Sequence, residues 1–168
     1  KNMKKSHIFD GAALTKFLFW LKNNFKSKKI TEISAENKLE NFRKMNKNYK
    51  FPSFSTISGA GPNSAIIHYK ASDKSNRILK KGDLYLVDSG GQYSFGTTDV
   101  TRTVSLENKS RSTKEIYTRV LKGHIAVSDY KIKKSSTGSD VDKNARRFLK
   151  QVKLDYPLHI KYVPLLYI

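Results

Sequence analysis

The sequence contains no cysteine, one tryptophan, two methionines and four prolines in 168 residues. Without cysteine there can be no disulfide and no thiolate-ligated metal, and a reducing cytoplasm fits such a chain. Acidic side chains are scarce: fourteen Asp and Glu stand against 33 Lys and Arg, for a formal net charge of +19. That balance raises nucleic acid or an anionic membrane as a partner, but its distribution argues against both. Residues 1–50 carry thirteen basic and four acidic side chains and residues 106–168 fourteen and six, whereas residues 51–105 carry six and four. The excess is a solvated flank rich in lysine, and no basic and aromatic platform of the RRM or OB type accompanies it. A long apolar run is also missing. The opening stretch to Asn24 imitates a signal peptide, but Asp10 and Lys16 interrupt it, no small-residue cleavage site follows, and it is too short to span a bilayer. Neither G-x-x-x-x-G-K-[ST], G-x-S-x-G nor H-E-x-x-H occurs, which removes the support for P-loop, serine-hydrolase and zincin readings.

What is present is enough apolar content, 38%, for one domain with a real core. Leu14, Leu18, Leu21 and Phe25, widened by Ile8, Ala12, Phe17 and Trp20, give the stripe of an amphipathic helix over about 4–24. Ser34 reads as the N-cap of a second helix with Leu39, Phe42 and Met45 on one face. Residues 51–69 carry little charge, are broken by Gly59, Gly61 and Pro62, and read as two short strands around a loop. Ser112-x-x-Glu115 has the spacing of a capping box ahead of a helix to about Lys131. A Ser/Gly-rich break at 135–139 precedes another helix bearing Val141, Ala145, Phe148, Leu149 and Val152.

The stretch Gly82 to Val104, GDLYLVDSGGQYSFGTTDVTRTV, carries the chemistry. Leu84, Leu86 and Asp88 alternate with Tyr85, Val87 and Ser89, and both sets are apolar until the last step, as in a strand buried on both faces. A carboxylate ending such a strand needs a partner or shifts its pKa until neutral. The chain then turns and returns with Asp99 among Thr97, Thr101 and Thr103, so two aspartates are expected to face one another across a hairpin. Buried Asp in turns commonly caps backbone N–H groups. Two facing carboxylates instead call for a cation, and hard oxygen donors suit Mn²⁺ or Mg²⁺. His68 has two readings, a hydrogen-bonded core residue or a member of the site reached from a strand beside the hairpin. His124 falls on a helix and reads as structural.

GPNSAIIHY, LYLVDSGGQYSFGTTDVTRTV and the helix LKGHIAVS, in this order and spacing, resemble the catalytic domain of Xaa-Pro aminopeptidase, in the creatinase or pita-bread superfamily. The resemblance runs over residues 3–156 and implies an α/β fold, the first half of a pita-bread domain with an antiparallel sheet flanked by helices. It implies that Asp88 binds one divalent ion, manganese by preference, that Asp99 bridges two, and that His68 contacts substrate and the tetrahedral intermediate. The implied substrates are peptides with proline at the second position, hydrolysed with a glutamate as proton acceptor. Thr101, on the face of Asp99, is a candidate support for the ligands. The family pattern continues after an LDY helix end with an HGTGHGVG-like segment and two glutamate ligands. Here Leu154-Asp155-Tyr156 is followed by PLHIKYVPLLYI, so residues 157–168 read as a divergent tail, of the kind a frameshift or split gene would leave, and His159 receives no ligand role. The chain opens on Lys1 and is expected to start inside a longer product. The expectation is therefore a half-site inactive alone, with a second copy or a complementing second half as candidate partner. The alternative is a non-catalytic remnant or binding module.

Overall fold

The computed structural model describes residues 2–156, and the chain forms two compact units, Lys1–Asn108 and Lys109–Ile168. Residues 157–168, read from the sequence as a divergent tail, lie outside the described residues.

In the first unit, helix α1 (Asn2–Asn24) and helix α2 (Glu32–Lys44) pack beside two small antiparallel sheets. The first sheet is ordered β2 (Ile57–Ala60), β3 (Leu84–Ser89), β6 (Val100–Ser105); the second is ordered β1 (Tyr49–Pro52), β4 (Gly91–Tyr93), β5 (Gly96–Thr97). Strand β3 is buried over Tyr85–Ser89 because β2 and β6 cover its two edges and the helices one face, as its unbroken apolar run requires. The core joins Leu14, Phe17 and Leu21 of α1 to Leu39, Tyr85, Val87 and Leu106.

Several local expectations change. The buried face of α1 runs through Ser6, Asp10, Ala13, Leu14, Phe17 and Leu21, while Ile8 is exposed. The stripe at i, i+4 and i+7 therefore includes a charge that looked like an interruption. The cap of α2 is Thr31, with Ser34 as its reciprocal partner three residues on, and Met45 is exposed. After β2 the chain enters a short 3₁₀ turn over Gly61–Ala65 in place of a second strand, and AIIHY forms no strand.

In the second unit, helix α3 (Arg111–Ser128) is capped by Ser110 rather than Ser112, and Glu115 instead pairs with Arg119 at 2.8 Å. Helix α4 (Gly138–Lys150) carries a full capping box, Thr137 with Asp140. The two helices touch where Gly123 meets the backbone of Ala145, a contact that leaves no room for a Cβ. Arg146, buried at the foot of α4, holds Asp142 and Asp155 at 2.8 Å each and lies 3.9 Å above the Tyr156 ring. Burial pushes the Tyr156 phenol up to about 12.

Candidate metal centre

Strand β3 ends on Asp88 and Ser89, and the chain leaves the first sheet there to build β4 and β5 of the second before returning as β6. The crossing point is stitched twice. Ser53 N–H donates to the Gly90 carbonyl at 3.1 Å and Ser53 Oγ to the Thr98 carbonyl at 2.8 Å. Thr98 N–H donates to the Gly91 carbonyl, and Gly91 N–H to Thr98 Oγ1, both at 2.9 Å. Gly90 must be glycine, since a Cβ would drive into the Thr98 carbonyl and Ser53 Oγ.

This geometry corrects the expected facing pair. Asp88 is the register partner of Thr101, and Ser89 that of Val100, so Asp99 stands one residue before the ladder begins. Because side chains alternate along a strand, Asp99 shares the face of Thr101 and lies diagonally from Asp88. Asp88 is buried and Asp99 exposed.

The Asp88 carboxyl is held above its ordinary range, first by burial and further by the negative charge of Asp99. The Thr101 hydroxyl and His68 pull it back down. Thr101 stops short of a hydrogen bond, however. Asp88 Oδ1 and Thr101 Oγ1 are both buried without a partner. An orphaned buried carboxylate oxygen near a second carboxylate suits a hard divalent cation, so these residues fit the implied metal. Among the described residues no group of three or more His, Cys, Asp or Glu side chains could hold an ion.

His68 is not on a strand beside β3. It is exposed, in a turn, with φ of 52°, a left-handed conformation uncommon outside glycine. It remains near enough for its charge to act on Asp88. His124, on α3, has a buried Nδ1 without a partner.

Two buried networks frame the site, and sequence reasoning anticipated neither. Arg43 donates from Nε to Asp10 Oδ1 at 2.7 Å and from Nη2 to Asp10 Oδ2 at 3.1 Å and Ser89 Oγ at 3.0 Å. Tyr93 OH donates to Asp10 Oδ1 at 2.9 Å. The network ties α1, α2 and the second sheet to the residue following Asp88, and its one sequence signal was the place of Asp10 on the apolar face of α1. The other centres on Glu32, fully buried at the start of α2. There the sequence offered no signal beyond a glutamate in a first turn, where solvent exposure is the ordinary outcome.

Asp88 at the end of β3 and Asp99 just before β6 thus set two carboxyl groups near one another, a pair of hard oxygen donors suited to a divalent cation. The chain belongs to metallopeptidase family M24, which matches residues 1–163. It is 45% identical over 158 residues to a protein named probable Xaa-Pro aminopeptidase P from Paracoccidioides brasiliensis, covering 93% of this chain and 26% of that protein. A protein of the same name from Laccaria bicolor is 45% identical over 157 residues, with 24% of its length covered. The chain thus spans about a quarter of the curated relatives it matches. Among solved structures it is similar to the X-prolyl aminopeptidase of Caenorhabditis elegans, described as a cytosolic enzyme with a di-nuclear active site. The TM-score is 0.84 and the identity 38%, over 92% of this chain and 26% of that one. It is also similar to the prolidase of Pyrococcus horikoshii, with a TM-score of 0.74 and 26% identity over 90% of this chain and 41% of that one.

Proposed function

We propose that this chain carries the aspartate half of an Xaa-Pro aminopeptidase site, with residues 1–156 forming the first half of the catalytic domain. The observation that carries the reading is the buried, unpartnered Asp88 Oδ1 beside Asp99. Asp88 and Asp99 would hold divalent metal, and their oxygen donors favour Mn²⁺ or Mg²⁺ over softer ions. When bound, the metal supplies Lewis acidity toward the scissile carbonyl and toward water. Thr101, opposite Asp88 on β6, would orient its carboxylate once a cation is held there. His68, exposed at the rim of Asp88, contacts the peptide and the charge that develops on its carbonyl oxygen. The substrate is a peptide with proline second, a choice supported by the names of the relatives. The cytosolic description of the C. elegans enzyme supports a cytoplasmic setting.

Two carboxylates offer at most about four oxygens, fewer than the roughly six that one hard cation takes. Water or groups outside the described residues would complete the shell, and on this reading the 168-residue chain alone turns over slowly or not at all. The second reading, a non-catalytic binding module, is favoured by the same shortage. The experiment is hydrolysis of an Xaa-Pro peptide with added Mn²⁺, by the chain alone and with a separately expressed second half. Rescue by complementation that Asp99→Ala abolishes supports a split site. Binding of the peptide without turnover in either mixture supports the module.

A further inference from the structure

We propose that Glu32 is a positioning residue for His68, setting where the His68 turn stands relative to Asp88; this rests on the reading of His68 as a substrate contact. Residues 61–77 contain one short 3₁₀ turn and otherwise no helix or strand, so hydrogen bonds must fix them individually. Glu32, with no solvent exposure, supplies the bonds that join the segment to α2 at its start, middle and end. Ala60 N–H donates to Glu32 Oε1 at 2.7 Å, at the start of the segment. In its middle, Asn63 Nδ2 donates at 3.0 Å to Oε1 and Tyr69 OH at 2.8 Å to Oε2. At its end, Arg77 N–H donates to Oε2 at 2.9 Å, while Glu32 N–H returns a bond to the Arg77 carbonyl at 3.0 Å.

One carboxylate thus clasps both ends and the centre of the segment. The clasp closes on Tyr69, which is itself buried and adjacent to His68. With its one proton on Glu32, Tyr69 OH accepts from Asn63 Nδ2 at 2.8 Å. A glutamate serving only the N-terminus of its own helix would turn toward that helix's free N–H groups. Glu32 spends all four acceptor directions on residues 28 to 45 positions away. His68 sits in a left-handed conformation that persists only where its surroundings over-determine it. Around it, Tyr69 N–H donates to the Ile66 carbonyl at 3.2 Å, and the Tyr69–Glu32 bond ties that turn to α2.

The test uses the isotopically labelled 168-residue chain and Glu32→Gln. Whichever way the new amide turns, its NH₂ faces a backbone N–H, of Ala60 or of Arg77. Amide exchange at Ile66 and Tyr69 is expected to accelerate about tenfold or more while the β3–β6 ladder stays within about twofold. Added Mn²⁺ should broaden the Thr101 and His68 resonances of the unmodified chain, and in the variant broaden Thr101 while sparing His68. Unchanged exchange at Ile66 and Tyr69, or an equal acceleration throughout β3 and β6, overturns the proposal; the latter marks Glu32 as a general fold residue. Should Mn²⁺ broaden neither residue of the unmodified chain, the metal reading falls and exchange alone decides the role of Glu32. Tyr69→Phe, which removes one hydroxyl and little volume, carries the same readouts if Glu32→Gln does not fold.

Discussion

Asp88 and Thr101 are register partners on adjacent antiparallel strands, and each keeps a buried oxygen without a hydrogen bond. In the metal-free chain this pairing is a local cost. With a cation on Asp88 the same hydroxyl can orient the carboxylate.

Thr101→Val should therefore act in opposite directions on the two forms. Removing an unsatisfied buried hydroxyl stabilises the metal-free chain by about 1 kcal/mol, read by urea denaturation in the presence of a chelator. The affinity for Mn²⁺ falls about tenfold with the loss of the orienting group, read by titration of the bound ion. A loss of stability in the metal-free chain would show that the hydroxyl is already satisfied.

Gly90→Ala tests the bend that brings Asp88 and Asp99 to one face. The added methyl meets the Thr98 carbonyl, which is backbone and held by Ser53 Oγ, so relief requires the crossing between β3 and β6 to shift. The expected cost is about 1–3 kcal/mol in urea denaturation. The thermal shift produced by Mn²⁺ should disappear as well. Retention of that shift would mean that the carboxylates do not depend on the bend.

Arg43→Met leaves Asp10 buried with Tyr93 as its remaining partner. Breaking a buried ion pair from one side costs about 3–5 kcal/mol, because the desolvated charge stays behind. Adding Asp10→Asn to it should recover part of that loss, and a double-mutant cycle reports how much. Fully additive losses would contradict the coupling drawn here.

The second unit has its own pH dependence. Hydrogen bonds from Thr137 N–H and its hydroxyl hold the Asp140 carboxyl below its ordinary range. A depressed folded-state pKa contributes stability that is present above the unfolded value and lost as pH falls through the folded one. Protection of the first-turn amides of α4 should therefore decline from the ordinary carboxylate range downward, and Asp140→Ala should remove both the protection and its pH dependence. A decline of equal size in that variant would assign the effect to another group.

Much of this organisation was legible in the residues. The unbroken apolar run of Leu84–Val87 gave the central strand of its sheet, buried from Tyr85 onward, because such burial leaves no polar alternation. The Ser/Gly break before α4 and the helical periods of α1 to α4 were local signals, and the helices stand where they placed them. The motifs around Asp88 and Asp99 pointed to the family. Caps were less secure: Ser34 and Ser112 lost to Thr31 and Ser110, since several hydroxyl residues lie within one turn and the backbone dihedrals choose among them.

Long-range pairing carried the rest. Asp10 could be read as a break in an apolar stripe until Arg43 and Tyr93, 33 and 83 positions away, supplied the donors that let a charge be buried. Glu32 likewise became a clasp through residues up to 45 positions distant. The placement of His68 in a turn, and of Thr101 rather than Asp99 opposite Asp88, followed from register and loop closure. Residue types and their periods thus specified which elements form and which chemistry is on hand. Which charges are buried and which groups meet depended on donors and acceptors far apart in the chain, whose pairing no local pattern encodes.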